Sequence, residues 1–196
     1  GGSSSVYYID NTTKGIIGPG ANITGGSVYL DANDSTHQIT WAGGVASSKA
    51  VGIGASVGVN HISRDTVARL GSNKDGAKQL QADKIRSVSA ESTGAVHAFS
   101  VAGAKQSNSP LKGQDTDKLT GIGASGAVSV NIMEAHTEAL LQNIKSVSDN
   151  NSNMLVNAVE DSSMFALTGA AAFAFSMDSQ SSSSGLAGSV SINKLT

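Results

Sequence analysis

Short runs in which apolar and polar residues alternate recur along the chain and predict β-strands. The segment 84–90, with the sequence KIRSVSA, alternates with period two, which is typical of a half-buried strand. Other runs of β-branched and aromatic residues predict further strands, at 6–17, 27–32, 38–45, 95–102 and 154–159. Polar, glycine and proline residues between these runs predict turns, at 18–20, 33–35, 91–94 and 160–163.

One glycine-rich strand pattern occurs three times and organises the rest of the chain. It reads GIGASVGVN at 52–60, GIGASGAVSVN at 121–131 and GLAGSVSIN at 185–193, so its final asparagines are 71 and then 62 residues apart. Strand segments that keep their length while loops vary indicate a stacked repeat architecture. Residues 94–100 resemble residues 126–131, and we therefore expect one structural layer to be about half of the visible repeat.

The repeat predicts an all-β fold, a parallel β-solenoid in which Val, Ile, Leu and Ala point inward. An antiparallel β-sandwich is the alternative, because it also consists of short alternating strands. Residues 133–142 are rich in helix formers, but their repeat counterparts favour a strand, so we predict a strand there. The predicted domain is a single one, 1–196, an internal fragment of a larger protein with copies at about 1–59, 60–130 and 131–196. Loops are expected near 71–79, 105–118 and 178–185.

Three equivalent asparagines close the repeated pattern, at Asn60, Asn131 and Asn193. Asparagine tolerates left-handed backbone dihedrals and bonds to neighbouring backbone groups. We therefore predict that these residues form a structural corner where each strand ends. If a layer is half of a repeat, the three residues lie two layers apart, and direct contact between them is not expected.

Composition supports a fold built from small side chains rather than from large aromatic ones. Aromatic residues make up 4% of the chain and charged residues 14%, whereas there are 23 glycines. The net charge of −2 provides no basic surface for nucleic acid, and no apolar run is long enough to predict membrane insertion by this segment. The chain has no cysteine, which excludes disulfides and thiolate metal sites.

Candidate chemistry is sparse, and the sequence predicts neither an enzyme nor a cofactor. The paired glycines at Gly52 and Gly54 lack the strand–turn–helix setting of a dinucleotide loop, and the four histidines lack metal-ligand spacing. Arg64 with Asp65, and the acidic pair in the loop at 105–118, are the charged clusters considered for acid/base chemistry. That loop is the candidate binding loop, with polar and charged residues at Asn108, Lys112, Gln114, Asp115 and Asp117.

The pattern G-x-G-A-S-x-x-V-x-V-N, followed by T-x-A-x-L at 66–70 and 137–141, resembles repeats of large bacterial adhesins. These are the filamentous-haemagglutinin-like and autotransporter-type proteins, whose passengers are long β-solenoids. The resemblance implies an extracellular or bacterial cell-surface location. It also implies a structural and adhesive role, a rigid shaft that displays loops for attachment.

The expected partners are a host-cell, matrix or bacterial surface protein or glycan. A carbohydrate-active enzyme or a glycan-binding module on a β-helix is the alternative. Unpaired strand edges at the ends of such a stack would also allow end-to-end self-association.

Overall fold

The computed structural model describes residues 1–72, 74, 76–108, 121–146, 154–176 and 182–196. These residues form β-strands and no helix. The strands are β1 (Gly2–Ile17), β2 (Asn22–Ser48), β3 (Val51–Gly71), β4 (Leu80–Asn108), β5 (Gly121–Gln142), β6 (Ile144–Ser146), β7 (Leu155–Ser176) and β8 (Ser183–Leu195).

The strands belong to two parallel sheets that face each other. Sheet A has the order β1-β3-β5-β8, and in sheet B the strand β4 pairs with β2 on one side and with β6 and β7 on the other. Every strand pairing among the described residues is parallel. The all-β class and the parallel sheets are confirmed. The alternative of an antiparallel β-sandwich is wrong, because no pairing within either sheet is antiparallel in the described ranges.

Neighbouring strands of a sheet are one whole repeat apart. Asn60 pairs with Asn131, and Asn131 pairs with Asn193. The expectation that a layer spans half of a repeat is therefore wrong. The similar segments at 94–100 and 126–131 lie in opposite sheets, in β4 and β5, so their likeness reflects two facing strands of the fold rather than two stacked layers.

The interior is narrow in the glycine-rich half of the strands, and the apolar side chains of these strands point outward. Along β3, buried and exposed residues alternate: Gly54 and Ser56 face the opposite sheet, while Val51 and Ile53 are at least half exposed. A Cβ atom added to Gly54 would lie 2.0 Å from the carbonyl oxygen of Gly103 in sheet B. Only glycine permits so close a backbone approach. The prediction that valine and isoleucine point inward is therefore wrong in this half.

Aliphatic side chains fill the interior at the other end of the strands. Leu70, Leu80 and Val88 have no exposed surface and pack in one cluster with Val28 and Ile85. A smaller cluster contains Ile62, Val96 and Met133. The interior thus changes along the strands from close backbone contact to ordinary side-chain packing.

Several predicted turns are instead parts of long strands. Residues 33–35, 91–94 and 160–163 continue β2, β4 and β7, because alternate polar side chains there point inward to a buried partner described below. The turn at 18–20 is confirmed, with Gly20 at φ 74°. The strand at 133–142 is also confirmed, since β5 continues to Gln142.

The predicted loops are shorter than expected where the structure describes them. Residues 105–108 belong to β4 and residues 183–185 to β8, while the remainder of the loops at 105–118 and 178–185 lies almost entirely outside the described residues. Between β3 and β4, the described part of the 71–79 segment contains no strand residue beyond Gly71.

Candidate functional site

A row of asparagine side chains connects neighbouring strands of sheet A. The Nδ2 group of Asn60 donates to Oδ1 of Asn131 at 2.7 Å, and Nδ2 of Asn131 donates to Oδ1 of Asn193 at 2.8 Å. Asn60 and Asn131 are completely buried. The three residues lie inside continuous strands that run on beyond them. The prediction that they end a strand, and the expectation that they do not touch, are therefore corrected by the structure.

Hydroxyl groups complete the hydrogen bonding of this asparagine ladder. Asn131 also donates to Ser129 Oγ at 3.1 Å, and Asn193 donates to Ser191 Oγ at 3.2 Å. At the other end, Thr40 from sheet B donates its hydroxyl to Oδ1 of Asn60. An amide side chain has two N–H donors and an acceptor oxygen. Asn131 uses its donors and its acceptor within the ladder, and Asn60 uses a donor and its acceptor.

Arg64 reaches from sheet A into sheet B and is fully buried. Its guanidinium lies against Gly94, where an added Cβ would come within 2.7 Å of Cζ. Its Nη2 lies 2.5 Å from the Oε1 atom of Glu160 and its Nη1 lies 3.6 Å from the Oδ2 atom of Asp34. Asp34 and Glu160 occupy one column of sheet B, because each pairs with Ser92. One arginine therefore links three adjacent strands of the facing sheet.

Polar side chains hold both carboxylates around Arg64, that of Asp34, which is nearly buried, and that of Glu160, which is partly exposed. Asp34 accepts hydrogen bonds from Asn11 and Thr36, each at 3.3 Å. Glu160 accepts from Ser162 and, at 2.6 Å, from Thr137. Partial burial acts to raise the pKa of Glu160, but the hydrogen bonds from Ser162 and Thr137 and the charge of Arg64 outweigh it and lower that pKa below its ordinary value of 4.5.

Arg64 and Asp65, the charged cluster singled out in the sequence, do not form a joint site. Adjacent residues of a strand point to opposite faces, so Arg64 is buried while Asp65 lies on the outer face of sheet A and bonds to Lys14 at 2.8 Å. Asp65 lines an open groove of about 440 Å³ together with Glu134 and His136. Glu134 is itself paired with Lys194 at 3.3 Å. Among the described residues, no cluster of histidine, aspartate or glutamate could hold a metal ion.

The candidate binding loop is almost wholly outside the described residues. Asn108 is the last residue of β4. The positions of the other predicted members fall in the segment 109–120, which the structure does not describe: Lys112, Gln114, Asp115 and Asp117.

The sequence reasoning missed an aromatic row on the outer face of sheet B. Trp41 and Phe99 stack with ring centroids 4.2 Å apart and planes 13° from parallel, and Phe165 lies 6.0 Å from Phe99. Trp41 is 71% exposed. The available signal was the alternation around Phe99, since the small residues Ala98 and Ser100 are buried and leave the large intervening residues on the outside.

Comparisons with known protein families, with curated proteins and with solved structures find no match to this chain. Within its described residues there is no helix with the length and apolar character that a membrane span requires.

Proposed function

We propose that this chain is part of a parallel β-solenoid that forms the shaft of a bacterial cell-surface or secreted adhesin. The asparagine ladder is the observation that carries the proposal. Asn60, Asn131 and Asn193 come from three successive copies of one motif and meet side chain to side chain. Such stacking of equivalent residues is typical of repeat proteins, in which each repeat contacts only its neighbours.

A shaft of this kind works by holding loops at a distance from the surface that carries it. Its resistance to unfolding is roughly a sum over neighbouring layers, and the buried contacts of Asn131 and Arg64 each join adjacent strands. Connections between strands tolerate variation because they lie outside the stacked elements. In this proposal the segment that begins at Asn108 contacts a surface protein or glycan of a host cell, matrix or bacterium.

Binding measurements with an altered loop test the adhesive part of the proposal. The intact chain should bind saturably to at least one member of a panel of matrix proteins, host cells and glycans. Replacing residues 109–118 with a Gly/Ser segment of equal length should abolish that binding, while circular dichroism stays unchanged. The same replacement at residues 177–181 is the matched control and should leave binding intact.

Two results would count against this function. If the chain binds no member of the panel, the adhesive role of this segment fails and a purely structural shaft is left. If binding survives replacement of residues 109–118, another surface of the chain is responsible.

The groove on the outer face of sheet A favours a second candidate, a glycan-binding module or carbohydrate-active enzyme on a β-helix. Asp65 and Glu134 line this groove, and carboxylates are good acceptors for sugar hydroxyls. Each is held by a lysine at 2.8 and 3.3 Å respectively, which favours binding over proton transfer. Asp65→Ala should then reduce saccharide affinity or turnover, and an unchanged value for both would exclude this role for the groove.

A further inference from the structure

Sheet B presents an apolar surface to solvent in the glycine-rich half of its strands. It is formed by the outward residues of 39–45 in β2, 97–103 in β4 and 165–175 in β7, and we call it the apolar panel. Trp41 is 71% exposed and Val45 78%. Soluble monomers seldom expose contiguous apolar patches of more than a few hundred Å², so the panel indicates a contact surface.

The panel offers a partner very few hydrogen-bonding groups. Trp41 and His97 are the only residues with polar side-chain atoms at its outward positions. The exposed fractions of Trp41, Phe165, Phe173 and Phe175 alone present about 500 Å². An interface between proteins carries about one hydrogen bond per 100–200 Å², whereas the hydrocarbon of a lipid bilayer requires none. This composition therefore favours lipid over protein.

The charged side chains nearest to the panel are lysines. Lys105 lies on β4 between Ser47 and Phe173 of the neighbouring strands, and Lys49 follows β2. Both are exposed, and neither forms an ion pair among the described residues. No described carboxylate lies within the panel. Lysines beside an apolar surface complement the phosphates of anionic lipids.

The acidic side chains on the outer face of sheet B lie beyond the opposite margin of the panel. They are Asp31, Glu91 and Asp161. This arrangement leaves one margin of the panel basic and the other acidic. An anionic surface therefore attracts the glycine-rich half of the sheet and repels the other half.

The aromatic rings of the panel are oriented to enter a lipid interface by their edges. Trp41 and Phe99 stack with ring centroids 4.2 Å apart, and their planes are 13° from parallel. Each ring thus covers a face of the other and points an edge outward, which disfavours the stacking of a sugar ring on this pair. Tryptophan is enriched at the level of lipid headgroups, and phenylalanine is typical of the apolar face of interfacial segments.

We infer that the apolar panel docks onto the surface of a lipid bilayer that contains anionic lipids. The glycine-rich half of sheet B lies against the membrane, with its aromatic rings between the headgroups and the acyl chains. Lys49 and Lys105 lie beside the lipid phosphates.

The contact stays at the membrane surface. Among the described strands, β2 and β7 each pair only with β4, so the backbone groups along their outer edges are unpaired and need water. The hydrocarbon region provides no water for them. Only outward side chains therefore enter the bilayer, and the chain does not cross it.

This inference goes beyond the adhesive shaft and does not depend on what the loops bind. Vesicles of pure lipid present neither a protein nor a glycan receptor. Replacing residues 109–118 should therefore leave vesicle binding intact, and loss of vesicle binding leaves attachment through that segment untouched.

Vesicle flotation with a matched pair of variants tests the docking face. The intact chain should bind vesicles of equal parts phosphatidylcholine and phosphatidylserine at least about threefold more tightly than phosphatidylcholine alone. Val101→Asp places a charge at the centre of the panel and should weaken binding at least about tenfold. Val57→Asp is the control, on the outer face of sheet A at the same height, because Ser56 and Ser100 meet between the sheets at 2.6 Å. It should leave affinity within about twofold, while circular dichroism confirms the fold of both variants.

The basic margin provides a second test that leaves the apolar residues unchanged. Lys105→Glu should weaken binding to the phosphatidylserine vesicles at least about fivefold and have little effect on phosphatidylcholine alone. Lys145→Glu is the matched control at an exposed lysine of sheet B. Lys145 pairs with Gln81, about 80 Å from Lys105 along β4, and its reversal should have no effect.

The depth of the contact is measurable from fluorescence. Trp41 is the only tryptophan, so its emission should shift to the blue when vesicles are added. Bromine atoms near the headgroup end of the acyl chains should quench it more strongly than bromine atoms near the chain ends, because the ring stays at the interface.

Three results would overturn the inference. The first is a chain that neither floats with the vesicles nor shows the blue shift at any lipid concentration. The second is an equal loss of binding in Val101→Asp and Val57→Asp, since the contact would then not be specific to sheet B. The third is a lipid-free dimer that Val101→Asp disrupts and vesicles do not dissociate, because a second copy would then occupy the panel.

Discussion

Asn60 donates a side-chain hydrogen bond of 2.7 Å to Asn131, although 71 residues separate them in sequence. The bond forms because their strands pair in register, asparagine beside asparagine. Asn131 then repeats the same bond to Asn193. A side chain of this kind reports the stacking of the repeats more directly than any apolar contact, because it requires equivalent positions to lie at the same height along neighbouring strands.

Replacing the middle asparagine should destabilise the fold strongly. Asn131→Ala leaves a donor of Asn60 and the acceptor of Asn193 without partners, and one unsatisfied buried polar group costs about 1–3 kcal/mol. We expect a loss of about 2–4 kcal/mol in the free energy of unfolding, measured by chemical denaturation. Asn193→Ala, at an exposed member of the ladder, is the control and should cost less than half as much. Equal losses at both positions would contradict a role for burial.

Removal of the buried arginine should cost far more than removal of an exposed lysine. Arg64→Ala leaves the nearly buried carboxylate of Asp34 and the partly exposed one of Glu160 without their cation, and removing one partner of a buried pair costs about 3–5 kcal/mol. Lys14→Ala removes the partly exposed ion pair with Asp65 and should cost less than about 1 kcal/mol. Thermal and denaturant unfolding of both variants measure the two losses of stability. Similar losses would show that the Arg64 cluster stabilises the fold no more than an exposed ion pair does.

The glycines of the narrow interior should not tolerate even a methyl group. Gly54→Ala places a Cβ against the carbonyl oxygen of Gly103, and such overpacking costs about 1–3 kcal/mol or more. At Gly169, an added Cβ meets nothing within 4 Å, so alanine there should be neutral or stabilising by up to about 1 kcal/mol. A Gly54→Ala protein with wild-type stability would mean that the sheets separate easily.

The Arg64 cluster should make stability sensitive to acid. Because the pKa of Glu160 is lowered in the folded protein, folding favours its ionised form. This stabilisation is fully present above the ordinary glutamate value and is lost as the pH falls through the lowered value. Glu160→Gln should therefore reduce the slope of unfolding free energy against pH below about pH 4.5. The same substitution at Glu138, outside the cluster, controls for the general loss of a charge, and an equal effect there would contradict the prediction.

The strand content and parallel repeat were accessible from sequence because the motif at 52–60 recurs. Helix propensity at 133–142 was correctly set aside, since β5 pairs residue by residue with β3 and its neighbours impose the extended conformation. Which side chains of each strand face the interior was harder to predict from the sequence. Apolar residues are normally placed inside, yet Ile53 points outward because Gly54 must face the opposite backbone.

The polar segments misled the prediction for a different reason. Residues such as Asp34 and Glu160 suggest turns when each is considered alone, because nothing nearby in sequence neutralises them. Their partner, Arg64, lies 30 residues from one and 96 from the other. A cluster assembled from three strands leaves no local spacing pattern, so neither the buried network nor the aromatic row of Trp41 and Phe99 could be derived without the fold.

The close approach of Gly54 to Gly103 reverses the usual relation between core and surface. Where backbone rather than side-chain volume fills the interior, the intervening outward positions contribute little to packing between the sheets. Residues such as Ile53 and Val101 can therefore change with little structural consequence, provided that the glycines stay. In this half of the chain the side chains on the outer faces can therefore vary and serve in recognition, while the fold requires that the inward positions remain glycine.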